Sequence, residues 1–108
     1  MSLDTDSIHA AVSVFGAKAP KFIALTLADA QRYMQELQAA LEDKNAQEAG
    51  LAGHALKSIF KQVGATEIAS LAEEVQHKGA AGDLAGCESL YAQMQPVYAQ
   101  LETYLKTL

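Results

Sequence analysis

Three short breaks divide most of this 108-residue chain into four amphipathic stretches, and that pattern leaves few folds open. The breaks are Asp43-Lys44-Asn45, Gly64-Ala65-Thr66 and Gly79-Ala80-Ala81-Gly82. From about Pro20 to Glu42, Phe22, Ile23, Ala30, Tyr33, Met34, Leu37 and Leu41 recur at helical spacing. Pro20 occupies a first-turn position where its missing N–H costs nothing. The second stretch starts at Asn45, a good N-cap, and ends at Gly64, a good C′ residue. Thr66 is the expected cap of the third, which runs to about Lys78 with Ile68, Leu71, Ala72 and Val75 on one face. Asp83 is the expected cap of the fourth, which carries Leu84, Cys87, Leu90, Tyr91, Met94, Val97, Tyr98, Leu101 and Leu105. Pro96 lies within it and is expected to remove one backbone bond and bend the helix.

Long amphipathic helices joined by short connections bury their apolar stripes most simply against neighbours running the opposite way. The fold class is therefore all-α, an antiparallel up-down four-helix bundle. A shorter helix, about Asp6 to Val14, precedes it, with Asp4, Thr5 or Asp6 as N-cap, and is expected to cover one end. One domain spanning residues 1–108 accounts for the whole chain, which has no repeat and no linker.

Composition narrows the function. The net charge is −5, and a phosphate-backbone partner calls for a basic face, so nucleic acid is not the expected partner. A single cysteine, Cys87, permits neither an internal disulfide nor a cysteine metal cluster and fits a cytoplasmic setting. No apolar run is long enough to cross a membrane, and no basic-then-apolar leader opens the chain. A monomer is expected. There is no glycine-rich nucleotide loop and no acidic metal cluster, so an independent enzyme is not expected.

The most informative residue is His54. On a wheel of about 100° per residue, Ala52, Leu56, Ile59, Phe60 and Val63 lie between roughly 140° and 240° from it. Gln47, Gly50, Lys57, Ser58 and Lys61 lie within roughly 60°. His54 is thus expected to face water with cations one and two turns on. No acidic residue occurs between Glu48 and Glu67, so this face is neutral to positive in an acidic chain. An imidazole there can act as a nucleophile toward phosphorus, because the neutral ring carries one nitrogen with a free lone pair. Lys57 is placed to neutralise phosphoryl oxygens. Phosphoryl transfer depends mainly on positioning and charge neutralisation, so little more is required. Gly50 and Gly53 each cost a helix about 1 kcal/mol relative to alanine. Their expected return is access, a low flank over which a partner's active site can approach the ring. Leu51, at about 60° on the same wheel, is a candidate docking contact.

The run His54-Ala55-Leu56-Lys57, followed by Gly64-Ala65 and later by Gly82-Asp83, resembles histidine-containing phosphotransfer (HPt) domains of bacterial phosphorelays. The resemblance spans nearly the whole chain. It implies that His54 is the phosphorylated residue, on Nε2, and that Lys57 stabilises the phosphoryl charge. It implies as partners the receiver domains of response regulators or hybrid histidine kinases. These exchange the phosphoryl group through an aspartate and hold the Mg²⁺ themselves, so no cofactor is expected on this chain. The family's glycine after the lysine is Ser58 here, and Ile59, Phe60 and Lys61 replace small residues. Ser58 is a candidate hydrogen-bond donor to the phosphoryl group. Lys61 is a second cation expected to affect partner preference. With Gly50, Leu51 and Gly53, these two residues make up the expected partner-binding set.

The residues admit two other readings. A bundle that docks on receiver or kinase domains without transferring phosphate is the alternative that the run Ser58 to Lys61 leaves open. Glu74-Val75-Gln76-His77 has the Glu-x-x-His spacing of carboxylate-bridged metal bundles, but such sites need a second copy of the motif, and there is none. His77 at a solvated helix end is the expected arrangement, and no metal site is expected.

Overall fold

The computed structural model describes residues 3–108; Met1 and Ser2, which the single-domain reading includes, lie outside the described residues. Five α-helices account for nearly all of it: α1 (Thr5–Ser13), α2 (Ala19–Glu42), α3 (Ala46–Gln62), α4 (Thr66–Ala80) and α5 (Leu84–Thr107). A single 3-10 turn, Gly16–Lys18, links α1 to α2. Helices α2 to α5 form a closed ring in which each packs against the next and α5 returns to α2. The long dimension of 42 Å suits 24-residue helices, each about 36 Å long at 1.5 Å per residue.

The turns explain why the helices run antiparallel. At the end of α3, Gly64 N–H donates to Lys61 O and Ala65 N–H to Phe60 O, with Gly64 at φ +79°. At the end of α4, Gly82 and Asp83 make the same pair of bonds, to Gly79 O and Lys78 O, with Gly82 at φ +76°. At the end of α2, Lys44 and Asn45 do so, to Leu41 O and Ala40 O, and here a lysine takes the left-handed position at φ 55°. All three are Schellman endings. The last residue of each ending is also the N-cap of the next helix: Asn45, Ala65 and Asp83. Asn45 Oδ1 accepts from Glu48 N–H at 3.0 Å, and Asp83 Oδ1 accepts from Gly86 N–H at 2.9 Å.

This double use corrects one expectation. Ala65, not Thr66, is the cap of α4, because the ending of α3 assigns that position one residue earlier; the Thr66 hydroxyl donates to Glu67 instead. The first cap is Asp4, which accepts from Ser7 N–H. Helix α5 runs unbroken through Pro96, which faces solvent, so the bend expected there does not interrupt the helix.

The core is aliphatic and drawn from every helix. Phe60, Leu37, Leu56, Ile68, Met94, Leu101 and Leu105 are fully buried, and Cys87 is among them as a small apolar side chain. Burial raises the Cys87 pKa above its ordinary value. Ile8 and Val12 of α1 are buried as well. Tyr104 Oη on α5 donates to Thr5 O at 3.3 Å. Helix α1 therefore closes the end of the bundle where α3 and α5 terminate, as expected. Among the described residues no single helix is long and apolar enough to cross a membrane.

Candidate functional site

Helix α3 places His54 where the wheel put it. Ala52, Leu56, Phe60 and Val63 face the core, Ile59 is half-buried, and His54 is exposed. Ser58 and Lys61 are exposed, Lys57 is half-buried, and Leu51 is 64% exposed despite being apolar. Among the described residues the only ion pair is Lys78–Asp83, at 3.7 Å. Lys57 and Lys61 thus present ammonium groups that no carboxylate among the described residues neutralises. The Ser58 hydroxyl donates weakly to His54 O, at 3.4 Å, and can be turned outward at little cost.

The two glycines do something other than expected. Both are buried, and neither opens a flank by standing exposed. A Cβ at Gly53 would lie 2.9 Å from Ala72 O, Gln76 N and Val75 Cγ1 of α4. A Cβ at Gly50 would lie 3.2 Å from Gln76 O and Gly79 Cα. A Cβ at Gly79 would come within 2.5 Å of Gly50 Cα and N. Gly53 is there because α4 leaves no room for a side chain, and at Gly50 α4 leaves little. Gly79, expected to help end α4, belongs to its last turn and completes the same contact.

That close approach creates a groove beside the imidazole. It is lined by Gln47, Gly50, Leu51 and His54 of α3 and by Gln76 and Ala80 of α4. Gly50 therefore serves access indirectly, as part of the groove wall. Gln76 was not singled out as a site residue from the sequence, where it lies 22 positions past His54 inside a motif weighed for metal binding. Its Oε1 is buried and has no hydrogen-bond partner among the described residues. A buried acceptor left unpaired costs about 1–3 kcal/mol, so one lining a groove with His54 calls for a donor. Three glycines on two facing helix surfaces were the available signal that α4 crosses next to His54.

Glu74 and His77 are both exposed, so the Glu-x-x-His motif does not face the interior. His9 is also exposed and lies near Ser13 in α1.

Comparison with known proteins agrees with this fold. The Hpt domain family model matches residues 21–108. No curated protein matches the chain in sequence. Among solved structures, the chain is similar to histidine-containing phosphotransfer protein B from Pseudomonas aeruginosa PAO1, with a TM-score of 0.88 and 23% sequence identity. The match covers 97% of this chain and 91% of that one, and at this identity it shows the shared fold.

Proposed function

The chain belongs to the Hpt domain family, whose members carry phosphoryl groups on histidine and work with receiver domains, and from that premise we propose that His54 is the phosphoryl carrier of a phosphorelay. The observation that carries this reading is an exposed imidazole flanked along one helix by two unpaired ammonium groups in a chain of net charge −5.

In the proposed step, the Nε2 lone pair of His54 attacks the phosphorus of a receiver's aspartyl phosphate. The P–N bond forms as the P–O bond breaks, and the aspartate leaves with the electron pair as a carboxylate. Nδ1 keeps its proton throughout. Gln76 Oε1 is the acceptor suited to that proton, because it lines the same groove and is otherwise unpaired. A bond to Nδ1–H fixes the tautomer in which Nε2 is the nucleophile. Lys57 lies one turn on and offsets charge on the phosphoryl oxygens. Mg²⁺ is held by the receiver. The reverse step delivers the group to a second receiver, so the chain transfers phosphate without generating it. Lys61 and Ser58 lie at the rim and bias which receiver is accepted. We place this activity in the cytoplasm, in a monomer with His54 uncovered.

The test is to incubate the chain with a ³²P-phosphorylated receiver and Mg²⁺. Label that survives base and is lost in acid is expected. Label absent across a broad panel of receivers would favour docking without transfer.

Two substitutions separate the supporting roles. Lys57→Ala is expected to slow transfer about tenfold, the scale of one charge-assisted hydrogen bond, with the melting temperature unchanged. Stopped-flow transfer rates measure this, and unchanged kinetics would remove Lys57 from the mechanism. Gln76→Leu is expected to stabilise the fold slightly, because an unpaired buried acceptor is lost, while slowing transfer about threefold or more through a mixed tautomer population. A residue with only a structural role would not move the two measurements in opposite directions.

A further inference from the structure

Opposite charges border the face that carries His54. Toward the C-terminus of α3 stand Lys57 and Lys61. Toward its N-terminus, Glu48 of α3 and Glu36 of α2 line one groove together with Tyr33, Leu51 and Ala52. Neither carboxylate is neutralised. Arg32 is one turn before Glu36, where it could pair with it, but its guanidinium lies 4.6 Å from the centre of the Tyr33 ring and donates to Tyr33 Oη at 3.0 Å. Among the described residues, no cation lies within ion-pair distance of Glu36 or Glu48. Leu51 separates this groove from the one beside His54, and it borders both. It is an exposed apolar ridge with two free carboxylates on one side and the imidazole on the other.

We propose that Glu36 and Glu48 select the receiver: the accepted partner covers Leu51 with an apolar helix face and sets a lysine or arginine between the two carboxylates. This rests on the phosphotransfer reading above. The argument is charge complementarity across a surface continuous with the transfer site. Covering Leu51 removes water from the groove, which strengthens attraction between the bridging cation and both carboxylates. The polarity of the strip also fixes orientation. A receiver docked with its acidic, Mg²⁺-holding pocket over His54 and Lys57 brings its cation to Glu36 and Glu48. The same receiver turned end for end would set cation against Lys57 and acid against Glu48, and like-charge juxtaposition suppresses wrong docking.

Initial transfer rates against receiver concentration, for a panel of ³²P-phosphorylated receivers with Mg²⁺, test this on the whole chain. The variants are the double substitution Glu36→Gln with Glu48→Gln and, as control, Glu88→Gln on α5. Glutamine at position 48 keeps the first-turn geometry of α3, and thermal melts confirm the fold. For the receiver that labels the wild type fastest, the double variant is expected to raise the half-saturating concentration about tenfold. The saturating rate stays the same, the salt dependence flattens, and the control matches wild type. A half-saturating concentration unchanged or lowered in the double variant, with labelling intact, overturns the proposal and leaves phosphotransfer standing. A wild type that takes no label from any receiver is a different result, and it removes both.

Discussion

His54→Gln is expected to take up no base-stable phosphate under conditions in which the wild type is fully labelled. In the proposed step Lys57 and Gln76 support the transfer, and their loss is expected to slow it. In that step His54 supplies the electron pair that becomes the P–N bond, and a glutamine amide has no comparable lone pair at that position. The substitution is mild for the fold. The side chain is exposed on a helix held by Leu56 and Phe60 on its opposite face, and surface changes of this kind usually stay within about 0.5 kcal/mol. Loss of label therefore cannot be attributed to unfolding, and matching circular dichroism melts would verify this. The chain supplies its own controls. His9 and His77 are also exposed, but one is in α1 and the other in the last turn of α4. Peptide mapping that found base-stable label on either of them, retained in the variant, would sink the assignment to His54.

The second large effect concerns stability. Gly79→Ala is expected to lower the melting temperature by about 10 °C, although alanine is the better helix former. Two terms compete. Propensity favours alanine by at most about 1 kcal/mol, and less in a last turn. Against it stands a Cβ 2.5 Å from Gly50 Cα and N and 2.6 Å from Ala46 O. Those atoms are backbone, so no side chain can swing aside, and α3 and α4 must separate. Overpacking costs typically 1–3 kcal/mol, and backbone on both sides places this case toward the upper end. A net loss of about 2 kcal/mol corresponds to roughly 8–16 °C in a domain of this size. Gly82→Ala provides the comparison. A Cβ there meets nothing within 4 Å, so only left-handed backbone strain opposes it, and a smaller drop is expected. Equal melting of wild type and Gly79→Ala in a calorimeter would show that the two helices have room to part.

These results mark what the chain discloses before it is folded. The four long helices, the short covering helix and the exposure of His54 were legible because each depends on spacing along one helix or on a local cap. Val63, Leu56 and Phe60 turn inward for the reason that makes His54 turn outward. The glycines misled because a wheel gives angle and not neighbourhood. Gly50 lies close in angle to an exposed residue and is nevertheless buried, since α4 comes to rest on it. Gln76 was missed for the same reason: its relevance depends on which residue of another helix it meets. Lys44 in a left-handed turn was also unforeseen, because the connection demands that backbone shape whether or not a glycine is present to supply it. Thr66 lost the cap to Ala65 because one residue serves both the end of α3 and the start of α4.

Gly64 holds a last consequence. Its left-handed backbone ends α3, and a Cβ on it would lie 2.6 Å from Ser7 O, so α1 rests directly on that turn. The family pattern begins at residue 21, past α1. The borders of the family pattern and of the packed interior therefore differ in this chain. Ile8 and Val12 are apolar mass that the shared pattern does not contain and that the interior here depends on. Helix α1 covers the open end of the bundle and ties the identity of the turn below it to a segment that lies outside that pattern.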